Sequence, residues 1–288
     1  MQDRLDPLIA ERAPWLFSRR PGTEMARRVL DRVLGYRRTV ALASEFRDMP
    51  SDQIMAALAQ LLARDVEVAG LGHIPRHGAA LIVANHPTGI ADGIILNHLI
   101  AGLRPDAFFY ANHDILRVLP QMRDMIAPVE WRAEKRSHAK TRETMQYTRD
   151  AVDQGRLGVI FPSGRLAQRR GLSLHERPWM ASAAMIARKF DLPVIPVHIR
   201  ARNSVLFYLF DLIHPTLRDI TLFHETLNKD RQPYRITVGE PISANALPSR
   251  SEDGIAMLRR ATLALGGQHA PAVSLVDSTR RPGWLKAS

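Results

Sequence analysis

The chain has 288 residues, 45% of them hydrophobic, with 40 Lys+Arg against 29 Asp+Glu for a formal charge of +11, and no cysteine. That length supports one or two domains and a core that needs no staples; the missing cysteines exclude a disulfide framework, thiolate metal sites, iron–sulfur clusters and a cysteine nucleophile. Residues 117–170 hold 12 basic and 6 acidic side chains, over half of the net charge, which suits an anionic partner such as nucleic acid, an acidic lipid surface or an acidic carrier.

The opening, Met1 to Pro7, lacks the basic-then-apolar order of a signal peptide. Apolar residues Met25, Val29, Val33, Tyr36 and Val40 recur at helical spacing, with Arg28 and Arg32 beside them, and predict one amphipathic helix over 24–45. A second helix is expected at 51–64, with Ser51 as N-cap and Ile54, Leu58, Leu61 and Leu62 as its apolar set. Either pair of faces suits a core or a basic membrane-surface helix.

Alternation begins near residue 66. Strands are expected at Val66–Ala69, Ala79–Ala84, Ala107–Ala111, Gly158–Phe161, Pro193–Ile199 and Tyr234–Val238, with a short extended piece starting at Val129. Helices are expected at 91–102, at 138–154 ending before Gly155, at 178–190 opening on Pro178, and at 252–265 stopping at Gly266-Gly267. Strands separated by helices predict an α/β fold, a mainly parallel mixed sheet flanked by helices, with an N-terminal helical pair. The domains follow: a helical region at 1–65, the α/β domain at 66–270, and a loosely held tail at 271–288. No window holds the roughly 18 apolar residues of a membrane span; 77–103 is interrupted by Asn85, His86, Pro87 and Asp92, and Val205–Phe210 is too short.

The chemistry concentrates where an apolar strand runs into Asn85-His86, a Pro-Thr-Gly turn follows, and Asp92 opens the next helix. In parallel sheets, ligands bind at the carboxyl ends of strands. A carboxylate on one ring nitrogen fixes a histidine's tautomer, and the other nitrogen then takes a proton from a hydroxyl. The turn holds no serine or cysteine nucleophile, only Thr88, so the pair suggests direct attack by an activated substrate alcohol. A purely structural histidine with an N-cap aspartate is the alternative. Val159-Ile-Phe-Pro-Ser-Gly-Arg165 is a second strand ending in a tight turn, with a Ser163 hydroxyl and an Arg165 guanidinium suited to phosphate or carboxylate.

Together these segments resemble the glycerolipid acyltransferase superfamily, typified by 1-acyl-glycerol-3-phosphate acyltransferases. Asn85-His86…Asp92 is similar to the family's first motif, Phe161-Pro162-Ser163-Gly164-Arg165 to its third, and Leu192-Pro193-Val194-Ile195-Pro196-Val197 to its fourth, over roughly residues 66–245. There are two departures: five residues rather than four between His86 and Asp92, and Ser163 where the family has Glu, with no Thr before Arg165. Both resemble the haemolysin-like branch that includes bacterial lyso-ornithine lipid acyltransferases. The resemblance implies an O-acyltransferase with His86 and Asp92 catalytic and Asn85, Thr88, Gly89, Phe161, Pro162, Ser163, Gly164 and Arg165 at the substrates. The second motif matches poorly at Ile126–Arg132, leaving Arg132 (or Arg136) and Glu130 as headgroup candidates. Implied partners are a lyso-lipid acceptor, an acyl carrier protein or coenzyme A thioester as co-substrate, and an anionic membrane surface, with peripheral placement on the cytoplasmic face of the inner membrane. No cofactor, metal or nucleic acid is implied: no basic–aromatic run supports nucleic-acid binding, and no metal-ligand spacing, Walker loop or Rossmann fingerprint occurs. Lysophosphatidic acid is the alternative acceptor.

Overall fold

The structure, a computed structural model, describes residues 1–18, 22–130, 137–213, 217–218, 221, 224–225, 232–267 and 272–276. Its strands are β1 (Val66–Ala69), β2 (Ala80–Ala84), β3 (Phe108–Asn112), β4 (Ile126–Val129), β5 (Leu157–Ile160), β6 (Gln168–Arg170), β7 (Ser173–His175), β8 (Val194–Arg200), β9 (Tyr234–Val238) and β10 (Ala272–Ser274). Its helices are α1 (Gln2–Arg12), α2 (Thr23–Val33), α3 (Tyr36–Glu45), α4 (Ser51–Leu62), α5 (Ile90–Ile100), α6 (Asp114–Val118), α7 (His138–Asp153), α8 (Ser182–Lys189), α9 (Val205–Ile213) and α10 (Ser251–Ala264).

The main sheet runs β1-β9-β8-β2-β5-β3-β4, parallel at every pairing except β8 with β9. This is the mainly parallel α/β sheet that the alternation of strands and helices predicts. β2 sits at its centre and is buried along its whole length. Ile82 and Ala84 point into a core shared with α1, α4 and α5, while Leu81 and Val83 point into a second core shared with α8 and α10. A strand covered on both faces needs a continuous apolar run, which is what Ala-Leu-Ile-Val-Ala supplies. Each fully buried Leu, Ile or Val there contributes about 1.5–3 kcal/mol relative to exposure.

Several local expectations change. The helix expected over 24–45 is two helices, because Gly35 takes a left-handed φ of 63° that ends one and starts the next. With α1, which sequence periodicity did not reveal, the N-terminal pair becomes four helices. Ser51 does not cap α4; it is the helix's first residue, behind Pro50, and its hydroxyl donates to Asp124 Oδ2 at 2.6 Å. Val129 ends a strand instead of starting one. Pro178 lies four residues ahead of its helix, which opens at Ser182. Gly155 follows the C-cap of α7 with φ 71°, as its place after the helix suggested.

β6, β7 and β10 form a small antiparallel sheet that the sequence reading did not foresee. Leu174, Val273 and Leu275 of this sheet region pack on Phe207 and Tyr208 of α9. Ala272–Ser274 therefore pair with β7, although the sequence suggests a loosely held tail from 271; residues 277–288 lie outside the described part. Among the described residues no helix is long and apolar enough to cross a membrane.

Candidate active site

The three motif segments meet because their strands are neighbours. β2 pairs with β5 on one side and β8 on the other, all parallel, so the ends of all three open on the same edge of the sheet. His86, just past β2, stacks on Phe161, just past β5, with ring centroids 4.3 Å apart and planes at 25°. Asn85 is buried and turns away from the cavity. Its amide donates to Ile199 O at 2.9 Å and accepts from Ile199 N–H at 2.7 Å, so both polar ends are spent holding β2 to β8. That is a task in the scaffold, in place of the substrate contact expected for Asn85.

Asp92 is fully buried at the start of α5. Its Oδ2 accepts the backbone N–H groups of Thr88 at 2.9 Å and Gly89 at 3.0 Å, and its Oδ1 accepts the Thr88 hydroxyl at 2.6 Å. The return bond to the Gly89 N-cap is the carboxylate half of a capping box. It requires Gly89 at φ 103°, a conformation few other residues hold. The positive end of the α5 dipole further favours this buried negative charge. His86 Nδ1 stands 3.0 Å from Asp92 Oδ2, at ion-pair distance but outside hydrogen-bond alignment. The imidazole is 18% exposed, so its far edge reaches the cavity.

Behind Asp92 the chain of polar groups continues. Thr88 gives its proton to Asp92, so the Tyr234 hydroxyl, 2.6 Å from Thr88 Oγ1, is the donor in that contact. Tyr234 is completely buried on β9, and burial first, then the Asp92 charge, pushes its pKa well above the ordinary value. It stays a neutral donor. Thr88 is thus a link within this chain of bonds and is shielded from the cavity.

A second buried carboxylate, which the sequence reading missed, closes the site from the other side. Glu176 Oε2 accepts the backbone N–H of His86 at 3.2 Å, and Oε1 accepts the Trp179 indole N–H at 2.9 Å. Burial raises its pKa; the Trp179 bond, the His86 N–H bond and contact with Ser163 oppose that rise. Ser163 donates its proton to Arg165 O at 2.8 Å. Phe161 O accepts Gly164 N–H at 2.9 Å in a tight turn, Pro162 O accepts Met180 N–H at 2.9 Å, and His86 O accepts Ala167 N–H at 2.9 Å. The amides of residues 86, 88, 89, 164 and 167 are all donors within the loops.

The site opens on a cavity of roughly 1640 Å³, larger than the ~300–1,000 Å³ usual for small-molecule pockets. Its apolar lining includes Leu5, Leu8, Phe46, Met55, Ile94 and Met122, so the N-terminal helices form part of the wall of the site. The lining also carries charged side chains. Glu130 is buried and ion-paired with Lys140 Nζ at 3.1 Å, and both face the cavity. Arg165, Arg177 and Arg218 also line it, with Asp211 paired to Arg218 at 3.1 Å. Burial, then the neighbouring Arg165 and Arg218 cations, holds the Arg177 pKa below its ordinary range. Pro162 and Gly164 line the wall with Phe161, whereas Ser163 is turned inward toward Glu176. Arg132 and Arg136, expected near the headgroup, lie outside the described residues.

This chain is similar in sequence to known acyltransferases. Residues 65–200 match the protein family described as Acyltransferase. A lyso-glycine lipid O-acyltransferase of Phocaeicola vulgatus is 23% identical over 194 residues, 65% of this chain and 68% of that protein. A lyso-glycine lipid O-acyltransferase of Bacteroides thetaiotaomicron is 22% identical over 205 residues, 69% of this chain and 74% of that protein. Among solved structures, the 1-acyl-sn-glycerophosphate acyltransferase PlsC of Thermotoga maritima overlays 75% of this chain and 80% of its own, with TM-score 0.48 and 18% identity.

Proposed function

We propose that this chain, which is an acyltransferase of the glycerolipid acyltransferase superfamily, moves a fatty acyl group from an acyl-thioester to the free hydroxyl of a bacterial lyso-aminolipid such as lyso-ornithine lipid. The observation that carries the reading is the His86–Asp92 contact of 3.0 Å at the wall of a large, mostly apolar cavity. His86 Nε2 takes the proton of the acceptor hydroxyl as its oxygen attacks the thioester carbonyl carbon. The tetrahedral adduct then collapses, the carbon–sulfur bond breaks, and the leaving thiolate takes the proton back from His86. Asp92 stabilises the imidazolium that exists between those two transfers. Because the nearby loop amides are internal donors, the Arg165 side chain is the group we assign to the developing oxyanion. The thioester is that of acyl carrier protein or coenzyme A, used as a co-substrate with no resident cofactor.

The headgroup reading rests on both signs of charge lining one cavity. An amino-acid headgroup that brings a cation and a carboxylate finds Glu130 for the first and Lys140 or Arg177 for the second; a phosphate monoester needs only cations. Either charge left buried and unpaired would cost several kcal/mol. The names of the two relatives, acting on lyso-glycine lipids, favour the same class of acceptor.

We further place the protein peripherally on the cytoplasmic face of the inner membrane. Val205, Leu209, Leu212 and Ile213 are half to mostly exposed on α9, whose inner residues Phe207 and Tyr208 line the cavity. An apolar outward stripe beside cationic Arg177 and Arg218 suits an anionic lipid surface.

The test is a panel of lyso-ornithine lipid, lyso-glycine lipid and lysophosphatidic acid, each with acyl carrier protein and coenzyme A thioesters, read by mass spectrometry. The reading expects a higher kcat/KM for the lyso-aminolipids, with a preference that narrows in Glu130→Gln. A clear preference for lysophosphatidic acid promotes 1-acyl-glycerol-3-phosphate acylation in its place.

A further inference from the structure

We propose that Glu176 is a positioning residue for His86, a second carboxylate that holds the catalytic loop from behind. The inference rests on the reading of His86 as the base. Its ground is geometric. Glu176 lies 90 positions from His86 in sequence, yet its Oε2 accepts the His86 backbone N–H at 3.2 Å. Its Oε1 is fixed by the Trp179 indole N–H at 2.9 Å. The carboxylate is buried and is not among the residues that line the cavity. A buried carboxylate is retained only where donors compensate it, and here each oxygen meets an N–H.

The consequence concerns which atoms set the position of the imidazole. Asp92 contacts the ring at Nδ1 but is not aligned for a hydrogen bond. Phe161 holds one ring face. The Glu176 bond instead holds the backbone from which the ring projects, and Ala167 N–H on His86 O holds the other side of the same residue. Ser163 of the third motif lies close to Glu176 and gives its own proton to Arg165 O. Where the family pattern has a carboxylate within that motif, this chain has a hydroxyl, and the buried carboxylate beside it comes from thirteen positions along the chain.

Glu176→Gln separates positioning from packing, because it keeps shape and volume but offers one acceptor oxygen to two N–H donors. The amide nitrogen must then confront either His86 N–H or the indole N–H. In the full-length protein, E176Q is expected to lower kcat about tenfold to hundredfold, a part of what a well-placed base contributes. KM for acceptor and donor stays unchanged and the melt stays cooperative. Trp179→Phe removes the competing donor, so E176Q costs less in a W179F background than in the wild type, a rescue that a space-filling role would not produce. W179F alone lowers kcat severalfold, and this single variant decides the matter if E176Q does not fold. Wild-type kcat in either single variant, an effect confined to KM, or an equal loss in both backgrounds overturns the proposal. His86→Ala is run beside them: if it retains turnover, the base assignment has failed, whereas an inactive H86A with a fully active E176Q fails Glu176 alone.

Discussion

The floor and the rim of the cavity are built on opposite principles. At the floor, Asn85, Thr88, Asp92, Glu176 and Tyr234 are buried, and each has its polar atoms paired with named partners. At the rim, α9 turns Val205, Leu209, Leu212 and Ile213 outward, and the small sheet adds an exposed Leu172 at its turn. A helix apolar on nearly every side is ordinarily a buried one. The floor's polar groups are thus held by internal partners, whereas the rim leaves apolar area exposed. The proposed chemistry and the proposed membrane contact fall in these two different regions, and mutations should divide them.

The largest expected effect is at the floor. His86→Ala lowers kcat by about 10²–10⁴ with vesicle binding intact; a well-folded variant with near-wild-type turnover would sink the floor's assigned role. Asp92→Asn follows at roughly tenfold to hundredfold, because an amide replaces the carboxylate that accepts Thr88 N–H and Gly89 N–H and whose charge stands 3.0 Å from the imidazole. Circular dichroism distinguishes lost turnover from a lost fold.

At the rim the signature is inverted. Leu209→Glu with Leu212→Glu should cut binding to anionic vesicles about tenfold or more, since each buried leucine is worth ~1.5–3 kcal/mol. Turnover of short-chain acceptors in solution stays near wild type. Equal loss on both substrate forms would erase the distinction between the two regions.

The smallest effect is a pH dependence of the floor's stability. Burial raises the Glu176 pKa in the folded protein above its unfolded value of about 4.3. The stability it contributes is then fully present below that value and is lost as pH rises through the folded pKa. Thermal melts should show the wild-type Tm falling relative to that of E176Q as pH rises over this window. A difference independent of pH would mean that Glu176 titrates alike in both states.

The share of this legible in the sequence follows from range. An Ala-Leu-Ile-Val-Ala run announces a doubly covered strand, and Asn85-His86 at its end announces a site. Asp92 lies six positions on, near enough for a turn to return it. Six strands of the main sheet were placed to within a residue or so from alternation and turn residues alone. Three-residue β6, β7 and β10 escaped, since so short a stretch carries no period and Gln-Arg-Arg no apolar face. The break at Gly35 escaped because the apolar stripe runs on through it.

What the sequence by itself determined is the set of local geometries: the strand–turn–helix at 80–100, the tight turn at 161–165, and an α/β alternation that makes the sheet parallel. Only the tertiary structure decided which distant groups complete the site. Tyr234 reaches Thr88 across 146 positions, Ile199 claims Asn85 across 114, and Glu176 reaches His86 across 90. It also turned the N-terminal helices into part of the wall of the cavity. Spacing along a chain encodes what one turn or one strand brings together. Strand order in a sheet depends on which apolar faces bury each other best, and that balance is struck among all the elements at once.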